Sequence, residues 1–192
     1  MKKEALKRTE AVAFCGLAIA LLAVSAWVTV PLGPVPFTLQ TMVLVFVVAL
    51  FPPREALVSI FGYLALGAIG VPVFSGMKGG LASIVGPTGG FLVGFGIGAL
   101  LAVLLLKAWR EPAAKPVRII RLALAAIVLL LTSYACGWVQ LMALTGMSPA
   151  AAFAAGIAPF VVLDAIKLAI GVALAQTLKE AVPALRRAHR KA

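Results

Sequence analysis

The chain has 192 residues, a mean hydropathy of +1.12 and only 12% charged residues. Soluble globular domains carry about twice that share of charge, so the composition excludes an ordinary soluble domain. We therefore expect an integral membrane protein.

Long uncharged stretches predict an all-α bundle of six membrane-spanning helices in a single domain, residues 1–192. About 20 apolar residues cross a bilayer as a helix, and clusters of Pro and Gly end one. Such clusters divide the uncharged stretches at 31–36 and 145–149. The second and third spans are short for about 30 Å of hydrocarbon, so tilt or flanking loops must contribute. The predicted spans are 11–30, 38–51, 55–69, 89–106, 119–144 and 151–178.

The basic residues predict the orientation. If both termini are cytoplasmic, all but two of the 17 Lys and Arg residues lie on the inner side, as the positive-inside rule requires. The exceptions are Lys78, in an external loop, and Lys167, inside the sixth span. Residues 1–10 and 179–192 are then basic cytoplasmic tails. Topology and attraction to anionic lipid explain the net charge of +11, so we expect no nucleic-acid partner.

The first span and the two cysteines have simple interpretations. A basic start before an apolar run also occurs in signal peptides, but this run is too long, and its removal would leave an odd number of spans. Cys15 and Cys136 lie inside spans with neither a CxxC spacing nor a neighbouring histidine. We expect no disulfide and no metal site.

Small residues recur at fourfold spacing in two spans, which allows close helix approach in a bilayer. In the fourth span these are Gly90, Gly94 and Gly98, and we expect them to pack inside the monomer. In the first span they are Gly16 and Ala20, where a partner-docking face stays open as an alternative.

Asp164 and Lys167 are charged residues inside the otherwise apolar stretch PFVVLDAIKLAIG. Their separation of three positions places both on one helical face. Ionisable groups at membrane depth usually face a polar cavity and mark a substrate or ion site. A carboxylate acceptor beside an ammonium donor suits a small polar ligand with both donor and acceptor groups. The alternative is a structural ion pair that holds the last helix against its neighbours.

Other segments supply weaker candidates for the same site. Tyr134, Trp138 and Gln140 are candidate walls in the fifth span, although Trp and Tyr also anchor spans at membrane interfaces. External Gly- and Pro-rich loops, above all 70–88, are either plain connectors or a lid over the site.

Four segments, in order along the chain, resemble the BioY biotin-transporter family. They are PVPFTLQT at 34–41, GAIGVPVF at 67–74, GPTGGF at 86–91 and Asp-x-x-Lys at 164–167. The resemblance implies the six-helix fold of the substrate-binding S components of energy-coupling-factor transporters, in a bacterial cytoplasmic membrane. It also implies biotin as ligand, no cofactor, and as partners a transmembrane coupling protein and two cytoplasmic ATPases. Such components dock through an AxxxA-type face of the first helix, where this chain has Gly16 and Ala20.

With biotin as ligand, we expect Asp164 to accept a hydrogen bond from a ureido N–H and Lys167 to donate to the ureido carbonyl. The valerate carboxylate then meets Lys78, the external cation. The reverse pose, in which Lys167 pairs with the carboxylate, stays open. External loops close over the ligand, and their predicted contributions are Phe37, Gln40, Phe74 and Thr88.

Two other function classes are kept beside this one. The first is an S component for a different vitamin. The second is a membrane enzyme or proton channel in which Asp164 titrates. The sequence offers little to an enzyme, since it has no P-loop, one aspartate, and His189 in the basic tail as its only histidine.

Overall fold

The computed structural model describes residues 2–108 and 114–181, with side chains from residue 9 onward. Within these ranges the chain is mainly helical. The predicted tail residues 182–192 and the loop residues 109–113 lie outside the described residues. The helices are α1 Lys2–Trp27, α2 Gln40–Leu50, α3 Pro53–Ala68, α4 Leu81–Val85, α5 Gly89–Ala108, α6 Lys115–Thr145, α7 Pro149–Gly156 and α8 Val161–Ala181.

Two irregular connections lie on the side that the sequence predicts to be external. Between α1 and α2, β1 Thr29–Val30 pairs with β2 Phe37–Thr38 as a short antiparallel ribbon. Between α3 and α5, the chain forms a 3₁₀ turn, Ser75–Met77, followed by the five-residue α4. Both connections contribute to the site described below.

Four of the described helices are long and apolar enough to cross a membrane: α1 from Thr9 onward, α5, α6 and α8. The helix α2 has 11 residues and α3 has 16. At 1.5 Å per residue they extend about 16 Å and 24 Å, less than the hydrocarbon thickness of about 30 Å. The expectation that the second and third spans are short therefore agrees with the structure.

The segment 151–178, predicted as one span, is divided into two helices. The helix α7 ends at Gly156 and α8 begins at Val161, with turns at 157–160 between them. Pro159 explains the break, because it has no N–H to donate and disfavours the helical conformation at Ala158. The break places Asp164 in the first turn of α8, where the helix dipole favours negative charge.

Glycines set the spacing of the helices that build the site. A methyl group added at Gly94 would lie 2.5 Å from the Cα of Ser133, and one at Gly98 would lie 2.7 Å from the carbonyl oxygen of Leu129. The backbones of α5 and α6 are thus nearly in contact, and the expectation that these glycines pack within the monomer is confirmed. Gly171 similarly lets α8 approach α2.

Candidate functional site

A cavity of about 510 Å³ lies between the two irregular connections and the start of α8. This volume is within the range of small-molecule sites. Its wall combines small and polar residues with six aromatic side chains and three charged ones. The aromatic and charged residues are Phe37, Phe74, Phe91, Phe95, Tyr134 and Phe160, with Lys78, Asp164 and Lys167.

The carboxylate of Asp164 accepts hydrogen bonds from three side chains on three different helices. Its Oδ1 accepts from the Thr41 hydroxyl at 2.8 Å and from Lys167 Nζ at 2.8 Å. Its Oδ2 accepts from the Tyr134 hydroxyl at 2.6 Å. Because the residue is only 4% exposed, these bonds replace the water that the carboxylate gives up.

Lys167 is also buried, at 6% exposure, and its ammonium has three kinds of partner. It donates to Asp164 and to the carbonyl oxygen of Thr38, the latter at 2.6 Å. It also lies 3.7 Å from the centroid of the Phe37 ring, a cation–π contact. The ion pair therefore connects α8 to the ribbon strand β2 and to the start of α2.

The pair keeps unused hydrogen-bonding capacity toward the cavity. A carboxylate has about four lone-pair sites and an ammonium three N–H donors. Protein groups use three acceptor sites of Asp164 and two donors of Lys167. Among the described contacts, one acceptor site on Asp164 Oδ2 and one N–H of Lys167, which lies against the Phe37 ring, have no hydrogen-bond partner. This capacity suits a ligand that presents both an N–H and a carbonyl.

The structure brings most of the predicted site residues to this cavity. Phe37, Gln40, Phe74 and Thr88 line it from the connections and helix ends, as does Tyr134 from α6. Lys78 also lines the cavity and is exposed, so it stands at the mouth of the cavity while Asp164 and Lys167 are buried.

Trp138 and Gln140 were predicted as walls but are not among the described residues that line the cavity. The Trp138 indole donates to the carbonyl oxygen of Pro149 at 3.0 Å and packs edge-on against Phe153. The Gln140 amide donates to the carbonyl oxygens of Ile84 and Gly86, at 2.8 Å and 2.6 Å. Trp138 lies one turn beyond Tyr134 on nearly the same face of α6, where it meets the start of α7, and Gln140 lies on another face, against the end of α4.

Several contributors were not predicted. Thr41 binds Asp164 directly, and the only signal in the sequence was its place at the end of the PVPFTLQT segment. Phe91, Phe95 and Phe160 add aromatic walls. In the sequence these phenylalanines were indistinguishable from lipid-facing residues.

Gly16 and Ala20 lie far from these contacts, on an exposed face of α1. A methyl group added at Gly16 would meet no atom within 4 Å. The face is thus open in the isolated chain, as a docking surface or a lipid-facing surface would be.

Comparison with known proteins decides the family. The family model for "BioY family" matches residues 1–184. The chain belongs to the BioY family. It is 36% identical over 172 residues to a protein of Pyrococcus horikoshii named "Probable biotin transporter BioY", covering 90% of this chain and 98% of that protein. It is also 36% identical over 170 residues to "Biotin transporter BioY" of Thermotoga maritima, covering 86% and 93%.

A solved structure shares the fold. It is the crystal structure of the S-component for biotin from an ECF-type ABC transporter, and it matches with a TM-score of 0.80 over 91% of this chain and 93% of that one. At 23% identity this likeness supports the fold alone. Members of the BioY family are named as transporters, so a titrating membrane enzyme is not the function that this membership indicates.

Proposed function

We propose that this protein captures biotin at the outer face of the cytoplasmic membrane, as the substrate-binding component of an energy-coupling-factor transporter. The observation that carries this proposal is the Asp164–Lys167 pair, buried in an aromatic-lined cavity. Membership of a family whose named relatives are biotin transporters supplies the substrate.

The unused hydrogen-bonding capacity of the pair favours one pose. A ureido group offers both an N–H and a carbonyl, and the described hydrogen bonds leave the pair one acceptor site and one N–H donor. A ligand carboxylate, by contrast, has no donor to give Asp164 and would stand against its negative charge. We therefore place the ureido ring at Asp164 and Lys167, with the apolar rings of the cavity around the rest of the ligand.

In this pose the valerate carboxylate points to the mouth of the cavity, where Lys78 stands. Exposed lysines contribute modest free energy to an ion pair, so Lys78 serves recognition of the acid more than tight binding. In the reverse pose the ligand carboxylate pairs with Lys167, so biotin methyl ester should lose most of its affinity. In the preferred pose the ester should lose little, and its affinity therefore distinguishes the two poses.

We extend the proposal to topology and partners. The charge distribution supports six crossings with both termini inside, in one domain with residues 1–10 and 179–192 as cytoplasmic tails. The sequence contains no P-loop, so the energy for uphill transport comes from a partner or from a gradient. We propose a transmembrane coupling protein and two cytoplasmic ATPases as the partner chains, Gly16 and Ala20 as the docking face, and biotin as cargo with no resident cofactor.

The test is equilibrium binding of labelled biotin to detergent-purified protein, with Asp164→Asn and Lys167→Ala beside wild type. Each variant removes one of the two charged groups that would bond the ligand, and a hydrogen bond to a charged group contributes about 1.5–3 kcal/mol. We expect each variant to bind at least about tenfold more weakly than wild type. Glu180→Gln, at the other end of the same helix, is the matched control and keeps wild-type affinity.

Competition identifies the vitamin. Unlabelled biotin should displace the label, while thiamin and riboflavin should not. A folded wild-type protein that ignores biotin but binds another vitamin would overturn the choice of substrate and keep the transporter class. A folded protein that binds no vitamin would indicate that Asp164 and Lys167 form a structural ion pair.

A further inference from the structure

Tyr63 carries a hydroxyl group that the proposed binding site does not explain. The residue lies on α3, is 0% exposed, and is not among the residues that line the cavity. Its hydroxyl accepts a hydrogen bond from Gln40 Nε2 at 2.7 Å and donates to the carbonyl oxygen of Val73 at 3.0 Å. A buried polar group with satisfied partners fixes those partners in place.

On one side, Tyr63 fixes the loop that carries Lys78. Val73 precedes Phe74, whose N–H donates to the carbonyl oxygen of Lys78 at 2.9 Å. The rings of Tyr63 and Phe74 also meet edge-on, with centroids 5.5 Å apart. The main chain at Lys78 is therefore linked to the Tyr63 hydroxyl through one short hairpin.

On the other side, Tyr63 is linked to the charged pair. Gln40 Oε1 accepts from the Thr38 hydroxyl at 3.1 Å, and the Thr38 carbonyl oxygen accepts from Lys167 Nζ at 2.6 Å. An unbroken series of contacts thus runs from Lys167, buried in the cavity, through Gln40 and Tyr63 to the loop of Lys78 at its mouth.

We propose that Tyr63 is a positioning residue that holds Lys78 at a defined distance from the Asp164–Lys167 pair. Two recognition points at a fixed separation select ligands by the distance between their two polar ends. Tyr63 therefore contributes to selection of the free acid over uncharged derivatives, although it does not touch the ligand. This inference rests on the proposed function, because it takes biotin as the ligand and Lys78 as the carboxylate partner.

The test is Tyr63→Phe, which removes one oxygen and keeps the ring against Phe74. Loss of one hydrogen bond from the loop should weaken biotin binding about two- to fivefold, because the effect cannot exceed the modest contribution of the exposed Lys78. Binding of biotin methyl ester should change less than twofold, since the ester does not use the charge of Lys78. In a Lys78→Ala background, Tyr63→Phe should have no further effect on biotin, because the two residues act in series.

Ser59→Ala is the matched control, since Ser59 lies one turn earlier on α3, is 1% exposed, and its hydroxyl bonds only to the carbonyl oxygen of Glu55 among the contacts described. It should leave both ligands unaffected. If Tyr63→Phe does not fold, Gly79→Ala displaces the same loop, because its methyl group would lie 2.7 Å from the carbonyl oxygen of Gly70. That variant should give the same discrimination between acid and ester.

Equal losses for biotin and its ester, or a Tyr63→Phe effect that persists in the Lys78→Ala background, would overturn the inference and leave Tyr63 with a structural role only. Failure of the proposed function is a different result, because wild type itself would then not bind biotin.

Discussion

At the scale of single residues, the buried ion pair is stable because each charge has several partners. The Asp164 carboxylate has three side-chain donors and stands in the first turn of α8, where the helix dipole favours negative charge. Lys167 has a carboxylate, a carbonyl oxygen and the face of Phe37. Burial of two charges carries a desolvation cost, which only such a set of hydrogen bonds and contacts offsets.

Tyr134→Phe removes only the hydroxyl oxygen and so tests one of the three hydrogen-bond donors to Asp164. The hydroxyl donates to Asp164 Oδ2 at 2.6 Å, and a hydrogen bond to a charged group contributes about 1.5–3 kcal/mol. We expect biotin binding to weaken about tenfold or more, measured by equilibrium binding in detergent. Thr132→Val removes a hydroxyl that bonds within α6, to the carbonyl oxygen of Val128, and should leave affinity unchanged. Unchanged affinity in Tyr134→Phe would show that Asp164 does not depend on this donor.

The sequence predicted the charged pair but only part of its surroundings. A spacing of three residues fixes Asp164 and Lys167 on one face of any helix, so local geometry was enough. The contact with Thr41 joins residues 123 positions apart and depends on how α2 lies along α8. The hydrophobic periodicity of a sequence does not specify how two helices lie against each other. For the same reason Trp138 and Gln140 were predicted to line the cavity, although they are not among the described lining residues.

At the scale of helices, small residues replace the hydrophobic effect as the source of close packing in lipid. Gly94→Ala should therefore lower the stability of the fold, because the added methyl group would lie 2.5 Å from the Cα of Ser133. Overpacking of this kind costs about 1–3 kcal/mol. Thermal unfolding in detergent should show a lower midpoint for Gly94→Ala than for wild type.

Gly16→Ala is the control for that experiment, since it makes the same change on a helix where no atom lies within 4 Å of the new methyl group. It should match or slightly exceed wild type, because Ala favours helix over Gly. Equal midpoints for the two variants would contradict the close contact of α5 and α6.

Helix positions were largely predictable from the sequence, and one boundary was not. The length of the uncharged stretches located the long spans, because a bilayer sets a minimum length for any helix that crosses it. The break between α7 and α8 was missed because its signals, Gly156 and Pro159, are isolated residues in an apolar run. That break places Asp164 in the first turn of a new helix.

At the scale of the whole molecule, the cavity and the exposed face of α1 are separate surfaces. Asp164 and Lys167 line a cavity that residues of the two irregular connections also line. The helix α1 exposes a row of apolar side chains along its length, including Val12 at 73%, Leu17 at 55% and Val24 at 52%. The proposed ligand site and the proposed docking face therefore use different parts of the molecule, and we expect that each can be changed independently.

Ala20→Leu tests this separation. The substitution adds bulk to the Gly16–Ala20 face of α1, where small residues permit a second helix to approach closely. We expect biotin affinity of the isolated protein to stay unchanged, since Ala20 is exposed and does not line the cavity. We expect biotin uptake by cells, and co-purification with a co-expressed coupling protein and its ATPases, to fall at least tenfold.

Ala135→Leu is the matched control, because Ala135 is an exposed alanine in the membrane-spanning part of α6. It should bind biotin and support uptake like wild type. If Ala20→Leu also supports normal uptake, partners do not dock on the Gly16–Ala20 face and its small residues contact only lipid. If Ala20→Leu loses affinity for biotin in detergent, α1 is coupled to the cavity more tightly than the separation of the two surfaces implies.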